Sequence, residues 1–241
     1  MLSVQRRFRV KSVGGGPPPE AESSIHIPHD ELIQAVREEC ESTGLVVKKE
    51  DISTYLKDRC VVAGWTFANE IPNTNGCRLT VGVANANDNG RFPLTFYVGV
   101  INPVDGIGVP LARRVLDKRH LWKGTPGYIN KEIRKFVKQQ VIDEKSIQIV
   151  KKRWLALNKK AAQVDEKVFL KAGRANLLAW SRCGRAWAQF SDMGKDKTRA
   201  GAILCFAKEN RRQNPFHQME RAFRFVELVI ATGQEEIPDG E

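Results

Sequence analysis

Lys131, Arg134, Lys135 and Lys138 recur at i, i+3, i+4 and i+7, a spacing that gathers side chains on one face of a helix. Four cations on a strip about 10 Å long repel one another unless water or a polyanion neutralises them. Ile129, Ile133, Phe136, Val137 and Val141 share the opposite face, so the spacing predicts an amphipathic helix over 127–141. Basic residues continue on both sides of it. Arg113, Arg114, Lys118 and Arg119 precede it on a segment that reads as a helix near 110–122. Lys152 follows on a helix over 143–162, and Arg182 and Arg185 lie on one over 174–192. An arginine fork can hold phosphate bidentately and stack on a base, or it can bind a carboxylate of its own chain. Trp122 and Tyr128 flank the turn Gly124–Gly127 beside Arg119, Lys123 and Lys131. Aromatics placed this way either stack on nucleobases or pack beneath the turn. The candidate RNA-binding set is therefore Arg113, Arg114, Lys118, Arg119, Lys123, Tyr128, Lys131, Arg134, Lys135, Lys138, Lys152, Arg182 and Arg185. Its competing reading is a row of plain solvated helix faces.

The charge distribution favours the first reading. The 241 residues carry a net charge of +11, and residues 111–160 alone hold fifteen bases against four acids. Residues 161–225 add thirteen bases and six acids. Residues 26–110 are acidic on balance, and the tail from Val226 to Glu241 has five acids and no base. Basic charge concentrated between an acidic front and an acidic tail is the electrostatic pattern of a polyanion binder.

Catalytic and metal motifs are missing. GKDKT at 194–198 lacks the glycine spacing of a phosphate-cradling loop, and neither HExxH nor GxSxG occurs. HIPH at 26–29 has weak ligand spacing, and His120 and His217 have no partner visible in the sequence. No cofactor, metal or enzymatic role is expected. Five cysteines without ligand spacing read as reduced, mostly buried thiols.

The elements that must position the basic residues read as follows. Residues 1–27, with GGGPPPEAESS, form an arm too poor in apolar surface to fold alone. Helices are expected over 30–42 and 51–63. Strands over 77–85 and 91–101 then form a hairpin about Asn87–Gly90. INPVDGIGVP marks the boundary between a lobe over 28–105 and a basic lobe over 106–232, and 233–241 form an acidic tail. Beyond the boundary everything reads as helix, ending with 197–211 and 215–231. Trp154, Trp180 and Trp187 fall on apolar stripes and are expected in the core, the last two with Leu177. The fold class is mainly α: a bilobed helical core with one β-hairpin and extended terminal arms. No apolar run is long enough to span a bilayer, so no membrane partner is expected.

The run CRLTVGVANANDNGRFP followed by PLARRVLDKRHL (110–121) resembles the hairpin and arginine-bearing helix of nucleoproteins from segmented negative-strand RNA viruses. RANLLAWSRCGRAWAQF (174–190) with RAFRFVELVIATG (221–233) is similar to a helix pair near the C-terminus of flexible filamentous plant-virus coat proteins. This chain has Arg224 where those proteins usually carry an acid. Both resemblances imply a helical core with a basic groove for single-stranded RNA and arms that dock on neighbouring subunits, in a virion and in host cytoplasm. The expected function is a viral nucleocapsid or coat protein that binds single-stranded RNA and forms a homo-oligomer through its terminal arms. The alternatives are a monomeric nucleic-acid-binding accessory or movement protein, and a nuclease.

Overall fold

Between Val47 and Leu116, valine, isoleucine, threonine and aromatic residues cluster between turns, and in the computed structural model each cluster is an extended strand. The structure describes residues 27–232 except 57, 72–73, 75, 88–92, 103–105, 118–125, 159–163, 195–196 and 212–214. The strands are β1 (Val47–Tyr55), β2 (Cys60–Glu70), β3 (Arg78–Ala86), β4 (Leu94–Asn102) and β5 (Ile107–Leu116). They pair antiparallel in chain order and form one five-stranded sheet. The helices are α1 (His29–Ser42), α2 (Pro126–Phe136), α3 (Glu144–Leu157), α4 (Glu166–Arg174), α5 (Trp180–Ser191), α6 (Arg199–Asn210) and α7 (Pro215–Thr232). Between α2 and α3 the chain makes a π-helical turn, Val137–Val141.

This is an α+β fold, not the mainly α core with a single hairpin that helical spacing suggested. Two segments make the difference. Residues 51–63 carry Ile52, Tyr55, Leu56 and Cys60 at helical spacing, yet β1 ends at Tyr55 and β2 begins at Cys60. The turn between them holds Leu56 and Asp58 at φ of 54° and 63°. The stripe was a coincidence across two strands and their turn; the VVAGWTF run behind it pairs with strands on both sides, which no local period can register. Residues 110–122 were also expected as helix, but Ile107–Leu116 is β5, paired along its length with β4. Pro110 is tolerated there because the register shifts at Val98/Gly99, opposite the proline. At Gly99 the β5 backbone runs too close for any side chain.

Register sets the two faces of the sheet. Val83, Phe96 and Arg114 stand in one cross-strand row, and Gly82, Tyr97 and Arg113 in the adjacent row on the opposite face. The first face is covered by α1, α2 and α3. Phe136 of α2 meets Phe96 with ring centroids 5.5 Å apart, and Arg37 of α1 reaches Glu50 of β1 at 2.6 Å. Glu50 also accepts from Trp65 Nε1 at 2.6 Å. α7 covers the second face: Met219 lies over Gly82, and Phe223 meets the edge of Tyr97 at 6.4 Å. α4, α5 and α6 pack beside α7 around Phe169, Trp187, Phe190, Phe206 and Phe225. Phe206 and Phe225 stack at 4.0 Å. Burying large aromatics in this way supplies much of the driving force for folding this half of the chain.

All five cysteines are buried and none forms a disulfide. Burial pushes the Cys40 thiol up to about 12, and it also raises Cys77 and Cys183. Among the described residues no helix is long and apolar enough to cross a membrane.

Of the helix expected over 174–192, only Trp180–Ser191 is helical, and the residues before it are the end of α4 and a turn. α4 ends at Arg174, and Asn176 takes φ of 54°. Leu177 N donates to Ala172 O and Asn176 N donates to Gly173 O, the paired bonds of a Schellman cap with asparagine in the left-handed position. Leu177 is buried in that turn as expected, but Trp180 opens α5 on the outside with 54% of its surface exposed. Its assignment to the core is overturned. A continuous helical period carried it inward, and the cap at 174–177 breaks that period. Trp187 does pack inward, half-buried against Phe169 at 5.8 Å, and Trp154 is buried.

Candidate nucleic-acid interface

On a strand, successive residues point to opposite sides, and this separates the first two candidate arginines. Arg113 faces α7, where its Nε lies 3.2 Å from Glu220 Oε2. The same carboxylate oxygen accepts from the Tyr97 hydroxyl at 2.8 Å. Burial, with Glu220 adding to it, holds the Tyr97 hydroxyl protonated well above the ordinary tyrosine range. Arg114 faces α2 and α3 instead, where its Nε donates to Gln140 O at 3.0 Å. Gln140 O also accepts from the Ser146 hydroxyl at 3.1 Å. The π-helical turn closes with Ile142 N donating to Val137 O at 3.0 Å, and Arg114 and Ser146 satisfy the Gln140 carbonyl within it. Arg113 and Arg114 therefore hold helices onto opposite faces of the sheet and do not line one groove.

Two more candidates are held by carboxylates. Arg134 bridges α2 to α1 through Glu38 and also donates to Asn130 Oδ1 at 3.1 Å. A hydrogen bond from Gln34 and the Arg134 and Arg37 guanidiniums hold the Glu38 carboxyl below the usual carboxylate range, against a smaller opposing effect of burial. Arg185 joins α5 to α6 through Glu209, at 3.0 Å, and Gln189 donates to the other oxygen of that buried carboxylate. Arg182 is half-buried, and its Nη1 is enclosed with no hydrogen-bond partner. Lys118, Arg119, Lys123 and Trp122 lie outside the described residues.

The remaining candidates lie on α2, the π-helical turn and α3. Tyr128, Lys131, Lys135 and Lys138 are all exposed, Tyr128 at 44%. At 100° per residue the first three lie within about 60° of one another, and Tyr128 to Lys138 spans about 15 Å of helix axis. Ile133 and Val137 are buried beneath them, so the stripe points away from the sheet. Lys152 is exposed on α3, as is Lys145 one heptad earlier. Phe136 packs α2, and the Arg114 bond to Ser146 packs α3, onto the same face of the sheet. Among the described residues no carboxylate pairs with these five lysines.

No protein-family model, curated protein or solved structure matches the chain. Function is therefore read from these groups alone. Among the described residues no group of three histidine, cysteine, aspartate or glutamate side chains could hold a metal ion.

Sequence reading passed over a further basic stripe. Lys167, Lys171 and Arg174 follow at i, i+4 and i+7 on α4 and are exposed, while Val168, Phe169 and Ala172 are buried on its inner side. The signal was present: Asp165 is an N-cap whose side chain accepts from Lys167 N at 3.0 Å, and the apolar residues behind it keep helical spacing.

Proposed function

We propose that this protein binds single-stranded RNA along the outward face of α2 and α3 and coats it as a nucleocapsid or coat protein. The observation that carries the reading is the stripe Tyr128, Lys131, Lys135 and Lys138, exposed and without a carboxylate partner among the described residues. Lysines that neither pair nor pack contribute little to the fold, and their mutual repulsion is relieved by a polyanion. Each phosphate contact releases counterions, so binding through this face is salt-dependent and tolerant of sequence. Tyr128 adds a ring on which a base of any identity can stack.

Assembly is supported by two features. Among the described residues β1 ends the sheet and has a strand neighbour on one side only, the kind of edge that accepts an added strand. Leu2, Val4, Phe8 and Val10 alternate with polar residues in the N-terminal arm, the period an added strand needs. Electron microscopy of the purified protein with single-stranded RNA tests the reading. Regular ribonucleoprotein particles that disappear on deletion of residues 1–26 are expected. RNA bound only as isolated monomers would instead favour the accessory-protein reading, and divalent-metal-dependent cleavage of the RNA would favour a nuclease.

A further inference from the structure

We infer that Trp180 is a second nucleobase platform, set on the α4–α5 corner and served by the cations of α4. The indole is the most exposed tryptophan among the described residues, and it is fixed in place. Its ring lies directly on Gly173: a Cβ added there would stand 2.8 Å from Trp180 Cε3 and 3.0 Å from Cζ3. Below Gly173 the Schellman cap and the buried Leu177 hold the turn, so the ring is presented by a rigid corner. Leu170, one helical turn before Gly173, is itself 37% exposed. Together they expose an apolar surface that folding leaves uncovered.

The charge around that surface selects the occupant. Lys167, Lys171 and Arg174 stand on the outward side of α4, and no carboxylate pairs with them among the described residues. An indole with one face free beside unpaired cations suits a base followed by its phosphates, and the stacking is indifferent to base identity. An apolar protein partner would have to strip water from three charges without neutralising them. The inference rests on the proposal that the chain binds single-stranded RNA, and it adds a contact remote in sequence from the α2–α3 lysines.

The test compares two ligands and two sets of variants. Binding of a labelled single-stranded oligonucleotide and of an abasic sugar–phosphate chain of equal length is measured by fluorescence anisotropy, with circular dichroism as a check on folding. Trp180→Ala is expected to weaken the base-bearing ligand by about 5- to 150-fold, the range for loss of one stacked base, and to leave the abasic chain unchanged. Gly173→Ala keeps the tryptophan but displaces its ring, and should weaken the same ligand alone. Trp180→Tyr should restore most of the preference. The triple variant Lys131→Ala, Lys135→Ala, Lys138→Ala should weaken both ligands alike. If Trp180→Ala and Gly173→Ala bind both ligands as the wild type does, the platform is overturned while the lysine face stands. If the triple variant alone has no effect, the lysine face fails and the platform stands. A wild-type protein that binds neither ligand overturns both.

Discussion

Where α7 crosses the sheet, Arg113 meets Glu220 at 3.2 Å, and at the β5 edge Arg153 meets Glu227 at 3.0 Å while donating to Leu111 O at 2.6 Å. On the outer side of α2 and α3, Lys131, Lys135, Lys138, Lys145 and Lys152 meet no carboxylate among the described residues. Each of these cations adds one to the basic count of the chain, but only those of the second region have charge to offer a ligand. The division follows side-chain chemistry. A planar guanidinium can satisfy a carboxylate and a carbonyl at once and tolerates partial burial, whereas an ammonium on a flexible stem is strongly hydrated and stays outside. Net charge therefore overstates the cations ready to bind phosphate, because several arginines are committed to holding helices on the sheet.

The largest effect that could break this division lies within one helix. Trp187→Ala removes a ring packed against Phe169 and Phe190 and should cost about 3 kcal/mol in denaturant unfolding. Trp180→Ala should cost less than about 1 kcal/mol. Equal losses would mean that both rings belong to the core and that the outward platform is misassigned.

Next comes the pair at α7. Glu220→Ala leaves Arg113 without its ion-pair partner and the buried Tyr97 hydroxyl without its acceptor, and a loss of about 1–2 kcal/mol is expected, moderated because both charged groups are about one-third exposed. Lys135→Ala should stay within about 0.5 kcal/mol of the wild type. Comparable losses from the two would erase the distinction between structural and available cations.

Interior and surface should part again at alkaline pH. Burial pushes the Cys40 thiol up to about 12, above its ordinary value of 9.0, and Tyr97 is shifted in the same direction. A group whose pKa is raised by folding stabilises fully below its unfolded value and loses that contribution as pH rises towards the folded one. The melting temperature should therefore fall from about pH 9 upward, and Cys40→Ala should flatten that fall. A wild-type melting curve flat from pH 8 to 11 would contradict the burial of these groups.

Much of the helical half was legible in the sequence. Ile133, Phe136 and Val137 keep the 3.6 period, and so do Val150, Trp154 and Leu157; the helices over 127–141 and 143–162 stand close to where periodicity puts them. The hairpin of β3 and β4 was legible too, from its β-branched runs. Strands β1, β2 and β5 were not, because a strand is recognised by its partner across the sheet. Ile52 and Cys60 mimic a helical stripe until Ala63 and Tyr55 are seen opposite them. At the candidate interface, types and spacing identified the α2 stripe. They could not tell which arginines face carboxylates, since Glu38, Glu209 and Glu220 are brought to Arg134, Arg185 and Arg113 only by tertiary packing.

The central claim is that the α2–α3 lysines are the phosphate-binding charge, and the salt dependence of single-stranded RNA affinity tests it most directly. Each lysine in contact with a phosphate contributes about 0.7 to the slope of log affinity against log salt. The triple variant Lys131→Ala, Lys135→Ala, Lys138→Ala should therefore bind more weakly at low salt, with a slope smaller by about 2 and no change in sequence preference. An unchanged slope in a variant that melts like the wild type would place the RNA on another face of the protein.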